Sequence, residues 1–349
     1  MAYKKINLAG DNWSPAHPAV LQAVIEANQG DAAAYGGDPW TKEAEKLLQK
    51  TFRAHCKVFF VPNGTGANVL ALRLACQSYE SVLCSDMAHI ECKEAGAAEA
   101  IANKKLLTVP HKNGKITPDA IRKKLRQEQG SGRHGTLPRL LSITQPTEIG
   151  TVYSLEELRA LADLLEEENL LLHMDGSRLY NAAARLNSSL ADMVEASCVD
   201  ILSLGGTKNG LMNVESVLIF NPTLEAGSDY THKQTLQLIS KMRYLSAQYI
   251  PLLTNDLWRP LAQQANEAAQ RIASFLKDSP DFHLAYPVET NQIFFTAPPS
   301  LIPYLQQEIS CYLWEPENHL IRFVTSWDTS FEDVIAVGKI LEALIPRVI

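Results

Sequence analysis

Residues 170–178 read Leu-Leu-Leu-His-Met-Asp-Gly-Ser-Arg, an apolar run that ends in charged and small side chains. A short run without polar alternation is typical of a strand that is buried on both faces of a sheet. Similar runs occur at residues 58–61, 81–84, 106–109, 140–143 and 199–204. Helical patterns lie between several of them. Strands that alternate with helices predict an α/β fold, with a mostly parallel sheet covered by helices on both faces.

Helix start signals support this interpretation. Thr117 is followed by Pro118, which is typical of an N-cap and a first helical position. Ser154 and Glu157 have the spacing of a capping box. The polar, glycine-rich stretch at residues 129–135 predicts a loop before the strand that follows it.

A change of pattern near Pro251 predicts a second domain. The segments beyond it are a long amphipathic helix, two short strands and a closing helix, at residues 261–276, 292–295, 320–324 and 331–344. We therefore predict a large α/β domain over residues 1–250, which includes an N-terminal segment at 1–15. A smaller α+β domain would occupy residues 251–349.

Composition excludes several classes of protein. Of the 349 residues, 46% are hydrophobic and 20% are charged, so the chain can bury a substantial core. The formal net charge of −7, without a Lys/Arg block, argues against nucleic acid or an anionic membrane as a partner. No apolar run approaches a membrane span, and residues 1–6 turn polar too soon for a secretory signal. Six cysteines without a Cys-x-x-Cys pair predict free thiols, so we expect a cytoplasmic protein.

Three strand ends carry residues that could bind a ligand, because open parallel sheets bind ligands where their strands end. The first is Asn-Gly-Thr-Gly-Ala-Asn at 63–68, between a strand and a helix. Glycines let the backbone approach a phosphate, and the N–H groups of a helix start attract anions. The stretch nearly matches a dinucleotide fingerprint with Asp86 at a later strand end, although Val69 occupies the third small position. A glycine turn without a ligand is the alternative.

The other two strand ends carry Asp175 and Lys208. An ionised carboxylate at the end of a buried strand needs a partner. That partner is either Arg178, in a structural ion pair, or a cationic ring nitrogen in the cleft. Lys208 follows the run at 199–204 and is framed by glycines. Burial would lower its pKa and make the amine reactive, whereas a surface lysine on a glycine turn is the alternative.

Together, these three features predict pyridoxal 5'-phosphate (PLP) as the cofactor. The PLP aldehyde forms a Schiff base with a lysine, its ring nitrogen needs an acidic partner, and its phosphate sits at a helix N-terminus. The interval between Asp175 and Lys208 leaves room for one helix and one strand. Both residues can therefore lie on neighbouring strands of the sheet.

In their order and spacing, these motifs resemble the L-threonine aldolases of the β-eliminating lyase group, which are PLP enzymes of fold type I. The resemblance covers nearly the whole chain. It rests on residues 11–15, 35–39, 63–68, 88–90, 94–96, 173–178, the loop around Lys208, and 322–328. It implies a large domain with a mostly parallel central sheet and a small C-terminal α+β domain.

The resemblance also implies which residues hold the cofactor. Lys208 would bind PLP covalently, Asp175 would keep the pyridine nitrogen protonated, and Arg178 would support the face of the cofactor. The phosphate would be bound by Gly64, Thr65, Gly66 and, in a supporting role, Ser203.

For the substrate, the resemblance implies that Ser14 and Arg322 grip the carboxylate. His89 would stack on the PLP ring and touch the β-hydroxyl. An ordinary histidine pKa of about 6.5 makes it an acid–base candidate, although a histidine beside apolar neighbours is more often a packed residue. Cys84 and Cys92 flank His89 at a spacing that suits no zinc site, so no metal is expected.

The implied reaction is the retro-aldol cleavage of L-threonine, L-allo-threonine and related β-hydroxy-α-amino acids to glycine and an aldehyde. The resemblance also implies a homo-oligomer, a dimer of dimers, in which Arg243 reaches the phosphate of a neighbouring subunit. One departure concerns residues 144–148, Thr-Gln-Pro-Thr-Glu, where better-known members carry a second histidine. Here Gln145 or Glu148 would shape the pocket instead.

Two other classes of function are open alternatives at this point. The first is another fold type I PLP enzyme, such as an aminotransferase or a β-eliminating lyase. The second is a non-catalytic dinucleotide-binding or regulatory protein, which the pattern of Gly64 and Asp86 favours.

Overall fold

The structure of the protein, a computed structural model, describes residues 5–130 and 132–344. Residue 131, in the predicted loop at 129–135, lies outside the described residues. So do residues 1–4 of the predicted N-terminal segment and residues 345–349 of the predicted small domain.

Strands and helices alternate along the first two thirds of the described chain. The strands are β1 (Ile6–Asn7), β2 (Lys57–Val61), β3 (Glu80–Ser85), β4 (Lys105–Val109), β5 (Leu137–Thr144), β6 (Leu171–Gly176), β7 (Ile201–Leu204), β8 (Glu215–Ile219), β9 (His283–Leu284), β10 (Gln292–Thr296), β11 (Ile309–Ser310), β12 (Tyr312–Glu315) and β13 (Leu320–Val324).

The helices are α1 (Pro18–Ala27), α2 (Pro39–Phe52), α3 (Gly64–Ala75), α4 (His89–Cys92), α5 (Ala97–Ala100), α6 (Pro118–Gln129), α7 (Leu155–Glu167), α8 (Leu179–Leu186), α9 (Leu190–Ser197), α10 (Ser228–Gln234), α11 (Arg243–Ser246), α12 (Tyr249–Leu253), α13 (Trp258–Lys277), α14 (Ile302–Glu308) and α15 (Phe331–Leu344). None of these helices is both long and apolar enough to cross a bilayer.

The central sheet confirms the predicted α/β fold class. Its strands lie in the order β2-β8-β7-β6-β5-β3-β4. Pairing is parallel from β7 through β6, β5 and β3 to β4, whereas β8 runs antiparallel to both β2 and β7. The six predicted runs correspond to β2 to β7, and all residues of β3, β6 and β7 are buried. Helices cover both faces of the sheet, so apolar side chains are buried on each side.

The predicted helix starts are also confirmed. The Thr117 side chain accepts a hydrogen bond from the Ala120 N–H at the start of α6, with Pro118 at the first helical position. Ser154 and Glu157 form a reciprocal capping box at the start of α7. Both caps satisfy N–H groups that the first turn of a helix leaves without partners.

A smaller antiparallel sheet in the C-terminal part has the order β12-β13-β10-β9. Part of the N-terminal segment, which we predicted to belong with the large domain, pairs there through β1, while its Asp11 bonds to Arg178 after β6. Strand β1 runs parallel to β11, and the buried Leu8 lies in the hydrophobic core of this C-terminal part. The Leu8 N–H bonds to the Ser310 carbonyl, so apolar burial and backbone pairing both hold the segment there. The predicted boundary at residue 250 falls inside α12 (Tyr249–Leu253), and the division at that point stays a prediction.

Candidate active site

Asp175 and Lys208 lie at the same edge of the central sheet. Asp175 is the fifth residue of β6, and its register partner on β7 is Ser203. Lys208 lies in a short 3-10 turn (Thr207–Asn209) directly after β7. Because parallel neighbouring strands end at one edge, the sheet order alone brings these two chain segments together.

Four hydrogen-bonding or charged groups stabilise Asp175 as a carboxylate. Oδ1 accepts from the Ser177 hydroxyl at 2.5 Å and from the Ser177 N–H at 3.0 Å, and Oδ2 accepts from Asn68 Nδ2 at 3.0 Å. Burial alone would raise the pKa of Asp175. The charges of His89 and Lys208 and these hydrogen bonds instead hold it below its ordinary value. Asp175 therefore remains ionised in the interior, as a partner of a protonated ring nitrogen must.

The Lys208 loop packs directly on the loop that follows Asp175. The Gly205 N–H bonds to the Gly176 carbonyl at 3.0 Å. A Cβ at Gly205 would lie 2.2 Å from the carbonyl oxygen of Ser177, so only glycine fits at this position. The glycines around Lys208 therefore allow two strand ends to approach closely, which brings the lysine towards the aspartate.

Burial gives the Lys208 amine the character of a reactive lysine. Burial and the neighbouring Arg178 lower the pKa of Lys208, and the attraction of Asp11, Asp175 and Glu215 only partly offsets this effect. Within the described residues, Nζ forms neither a hydrogen bond nor an ion pair. A partly buried amine without a bonded partner is free to bind a carbonyl compound.

The predicted phosphate loop lies between β2 and α3, beside a cavity of about 340 Å³. Asn63, Gly64, Thr65 and Asn68 line this cavity, which we call the loop cavity. A Cβ at Gly64 would meet no atom within 4 Å, so its backbone faces open space. Gly66 differs, because its N–H already bonds to Asn63 Oδ1 at 2.7 Å and its Cα lies against the Gln237 side chain. The geometry thus favours Gly64 and Thr65 as anion contacts.

A second cavity of about 510 Å³ adjoins the first, and we call it the arginine cavity. The residues that line both are Asn12, His89, Ser177 and Lys208. The arginine cavity is also lined by Asp175, Arg178, Glu148 and Arg322, together with Trp13, Met87, Tyr312 and Trp314. It is therefore a continuation of the Lys208 site with basic and aromatic walls.

Arg322, on β13, is held mainly by aromatic faces. Its guanidinium lies 4.5 Å from the centroid of Trp314 and 5.3 Å from that of Tyr312. Its one hydrogen bond in the described chain is a long one of 3.3 Å, to the Ala9 carbonyl, and its buried Nε has no partner. Burial, with the neighbouring Arg178, lowers the pKa of Arg322 to about 10, so it stays charged at neutral pH. Arg322 is therefore oriented and has spare donors for a carboxylate.

Arg178 pairs with Asp11. Nε and Nη2 bond to the two Asp11 carboxylate oxygens at 2.6 and 2.9 Å, and Asn291 donates a further bond to Asp11 at 3.0 Å. Burial would raise the pKa of Asp11, but Arg178, Lys208 and Asn291 together hold it below its ordinary value. The structural ion pair considered between Arg178 and Asp175 is not formed, because the bidentate partner comes from the N-terminal segment.

His89 is the first residue of α4, and its ring is fixed by a buried carboxylate. Nδ1 lies 2.8 Å from Glu94 Oε1, and the same oxygen accepts from Asn68 Nδ2 at 2.8 Å. Asn68 also bonds to Asp175, so one chain of contacts joins His89 to the strand-end aspartate. Sequence reasoning quoted Glu94 and Asn68 only as motif letters and did not find their role. Both residues lie inside stretches on which the resemblance rests, 63–68 and 94–96, and this position was the available signal.

Glu148 faces the arginine cavity from the loop after β5. Oε1 accepts from the Thr144 hydroxyl at 2.6 Å and from the His89 N–H at 2.9 Å. Burial, with a smaller contribution from Asp175, raises the pKa of Glu148 to about 7, although these two hydrogen bonds oppose the rise. Gln145 instead points inward, where it bonds to the backbone of Tyr153 at 2.9 and 3.0 Å. Of the two residues expected to shape the pocket, the structure brings Glu148 to it.

Three further predicted site residues lie outside the linings of both cavities. The Ser14 hydroxyl donates to the Asp11 carbonyl at 2.7 Å, while the preceding Asn12 and Trp13 line the arginine cavity. Ser203 is buried in the sheet, where its hydroxyl lies 3.0 Å from His173 Nε2. Arg243 bonds to the Gly30 carbonyl at 2.9 Å. Arg322 therefore lines the arginine cavity, whereas the Ser14 hydroxyl is bonded to the backbone, and the predicted role of both in binding a carboxylate stays a prediction.

Comparison with known proteins decides the family. The family model described as β-eliminating lyase matches residues 7–298. The chain belongs to this β-eliminating lyase family. A low specificity L-threonine aldolase from Pseudomonas aeruginosa is 42% identical over 333 residues, which covers 95% of each chain.

Other relatives agree with this β-eliminating lyase assignment. A low specificity L-threonine aldolase from Saccharomyces cerevisiae is 28% identical over 290 residues, covering 82% of this chain and 73% of that protein. The solved structure of Leishmania major threonine aldolase has a TM-score of 0.92 at 28% identity, covering 97% of this chain and 99% of that one. The predicted fold type I architecture is thereby confirmed.

Members of this family depend on PLP, and the protein is a PLP-dependent lyase. The residues present fit the cofactor. Lys208 offers an unpaired amine, Asp175 a buried ionised carboxylate, and the start of α3 an open glycine backbone beside the loop cavity. The buried Asn68 Oδ1 also has no partner among the described residues. An amine, an acid and an anion site at these three points match the aldehyde, ring nitrogen and phosphate of PLP.

Proposed function

We propose that the protein cleaves L-threonine, L-allo-threonine and related β-hydroxy-α-amino acids to glycine and an aldehyde. The observation that carries this proposal is the arginine cavity, which Lys208, Asp175 and an oriented, unpaired Arg322 line together. An amino acid bound by its carboxylate at Arg322 would present its amine towards Lys208. Relatives named as low specificity L-threonine aldolases support the same activity.

Lys208 and Asp175 supply the acid–base and electrostatic parts of this chemistry. When bound, PLP would take up the electron pair that the breaking Cα–Cβ bond releases. The lowered pKa of Lys208 increases the share of neutral amine, which can accept a proton from the incoming amino group and return one. Asp175 would favour the protonated form of the ring nitrogen, because its neighbours keep its own pKa low and so keep it ionised.

Arg322 and His89 position the amino acid. The planar guanidinium of Arg322 binds a carboxylate through two parallel hydrogen bonds and so limits rotation about the bonds to Cα. His89 lines both cavities, and its ring is held by Glu94. From there it would touch the β-hydroxyl and cover the cofactor ring. Arg178, fixed by Asp11, would support the face of the cofactor. Gly64 and Thr65, with help from Gly66 and Ser203, would form the phosphate site.

The discriminating experiment is product analysis with three substrates. Purified protein loaded with PLP is incubated with L-threonine, L-allo-threonine and L-phenylserine, and both the aldehyde and glycine are quantified. We expect equimolar aldehyde and glycine. A keto acid without glycine would instead indicate an aminotransferase or an eliminating enzyme, and an absence of any product would contradict the proposal.

We also propose a homotetramer, a dimer of dimers, in which Arg243 reaches the phosphate site of a neighbouring subunit. Exposed apolar side chains in the segment that precedes Arg243 in the sequence support a subunit contact. Tyr230 and Leu236 are 77% and 84% exposed, and Tyr35 is bonded through its N–H to Ser240 on the same surface. We further propose a cytoplasmic location, which the free thiols favour.

Mixed oligomers test the shared site. Lys208→Ala and Arg243→Ala subunits are each expected to be inactive alone. Mixing them after mild dissociation should restore activity, because one site then combines Lys208 from one subunit with Arg243 from the other. A particle of monomer mass in sedimentation, or an active Arg243→Ala homo-oligomer, would contradict the shared site.

A further inference from the structure

We infer that Glu148 is the group that accepts the β-hydroxyl proton during cleavage and returns it in the reverse reaction. This inference rests on the proposed function. It assigns the acid–base step to the last residue of the stretch 144–148, which contains no histidine.

The first argument is the position of the Glu148 carboxylate. The hydrogen bonds from Thr144 and from the His89 N–H both fall on Oε1, and the Glu148 backbone N–H donates a further bond to the carboxylate. These bonds fix the side chain, and Oε2 accepts no hydrogen bond from any other described residue. Glu148 lines the arginine cavity together with Lys208 and Arg322. Oε2 is therefore an oriented acceptor in the space that an amino acid held by Arg322 would occupy.

The second argument is that both oxygens of the two aspartates that line the arginine cavity, Asp175 and Asp11, already accept hydrogen bonds. Asp175 is bonded by Ser177 and Asn68, and Asp11 by Arg178 and Asn291. By contrast, Glu148 forms no ion pair with any described Lys, Arg or His side chain. A carboxylate without a counter-charge has a higher pKa, and is therefore a stronger base, than one held in a bidentate ion pair.

His89 is the competing acceptor at this position. Its Nδ1 is bonded to Glu94, which leaves Nε2 as its only free nitrogen. Glu94 itself is buried, and it also accepts from Asn68. This arrangement suits a ring that is held in place to contact the hydroxyl, with Glu148 beside it as the acceptor.

The electrostatic surroundings give Glu148 the acid strength that this role requires. The titratable groups that influence or face it are His89 and Cys92 on α4, Cys84 on β3, Asp175 on β6, Tyr153 in the loop before α7, and Lys208 and Arg178 across the cavity. The pKa of Glu148, raised by burial to about 7, means that both protonation states are populated near neutral pH. General acid–base catalysis is most effective when the pKa lies near the working pH.

The proposed step balances without a further reactant. The O–H bond of the substrate breaks and its proton passes to Oε2, while the oxygen electrons form the second bond of the aldehyde C=O. The Cα–Cβ bond breaks, and its electron pair, which bound PLP would take up, forms the C–H bond of glycine with a proton that Lys208 returns. The proton held at Oε2 then replaces the Lys208 proton through water, so no proton is gained or lost. Ionised Glu148 is therefore needed for cleavage, and its protonated form for the reverse aldol addition.

Glu148→Gln is the direct test, because glutamine keeps both bonds at Oε1 and removes only the basic oxygen. We expect kcat for aldehyde release to fall by about 100-fold or more, the lower bound typical of a lost acid–base group. KM should change little, and the acidic limb of the pH profile near pH 7 should disappear. Glu99→Gln, an exposed substitution on α5, is the matched control and should behave as the parent.

Thr144→Val provides a second variant that retains the carboxylate. Loss of the hydroxyl that stabilises the charged form raises the pKa of Glu148, so the acidic limb should move to higher pH. Infrared titration of the protein without PLP supplies a readout other than activity. The carboxylic acid band that titrates near pH 7 should be absent in Glu148→Gln and shifted in Thr144→Val.

The outcomes separate this inference from the proposed function. A parent protein that releases no aldehyde overturns the proposed function, whatever the infrared result. An active parent whose Glu148→Gln variant keeps kcat within a few-fold, with an unchanged acidic limb, overturns the role of Glu148. In that case Nε2 of His89 is the acceptor.

Discussion

Replacement of Gly205 by alanine tests whether the contact between two loops positions the reactive lysine. The added Cβ would lie 2.2 Å from the Ser177 carbonyl oxygen, whereas ordinary contacts begin at 3.4 Å. The two loops must therefore separate by about 1.2 Å, the difference between these distances. All three of the nearest atoms belong to the Ser177 backbone, so no side chain can simply rotate away.

The expected loss has a stability part and an activity part. Overpacking against a rigid neighbour costs about 1–3 kcal/mol, and the displacement also strains the bond from Gly205 to the Gly176 carbonyl. Lys208 would move relative to Asp175 by a similar distance. A misplacement of about 1 Å in an active site can reduce the rate by about 100-fold.

Urea unfolding monitored by circular dichroism measures the loss of stability. Aldehyde release, together with PLP absorbance, measures the loss of activity. Gly130→Ala is the matched control, because its Cβ would meet nothing closer than 3.8 Å and its φ is −65°. That substitution should change stability by less than about 1 kcal/mol. A Gly205→Ala protein with an unaltered unfolding midpoint and unaltered turnover would refute the argument.

Three further predictions concern the charged residues of the site. Lys208→Ala should lose both the visible absorbance of bound PLP and aldehyde release, and retained colour with full turnover would exclude this lysine. Arg322→Ala should raise KM about 10- to 100-fold, because a charged hydrogen bond contributes about 1.5–3 kcal/mol, while PLP binding measured by absorbance stays intact. An unchanged KM would remove Arg322 from substrate binding. Asp11→Asn should destabilise the fold by about 3–5 kcal/mol in urea, because Arg178 loses a buried counter-charge. The pKa of Asp11 is held below its ordinary value of 3.8, so the ionised pair stabilises the parent above that pH and is lost as the pH falls through the lower folded-state pKa. The stability gap between parent and variant should therefore narrow in acid, and a constant gap would contradict the pairing.

Local sequence patterns were sufficient to predict most strands of the central sheet and the positions of Asp175 and Lys208 at its edge. Continuous apolar runs predicted β2 to β7, because strands buried on both faces carry no polar alternation. Parallel order then placed Asp175 and Lys208 at one edge, without any knowledge of side-chain contacts. Strand β8 was not predicted, although all its residues are buried, because it follows the glycine-rich loop closely.

Contacts between distant segments could not be predicted in this way. Arg178 lies three residues from Asp175, yet its partner is Asp11, 167 residues away. Only the path of the N-terminal segment through the cleft creates that pair. The role of Glu148 was equally hidden, because its raised pKa depends on burial by surrounding loops. Sequence spacing carries no information on either effect.

The short stretch from Leu8 to Asp11 contacts both the C-terminal antiparallel part of the molecule and two cations of the site. Leu8 bonds to the edge of the small domain through Ser310, the Ala9 carbonyl meets Arg322, and Asp11 holds Arg178. A displacement of the strand that carries Ser310 would therefore be transmitted through residues 8–11 to both Arg322 and Arg178. The contact of Arg322 with the amino acid and the contact of Arg178 with the cofactor are therefore coupled through the backbone of residues 9–11. We expect both contacts to weaken together when the product is released.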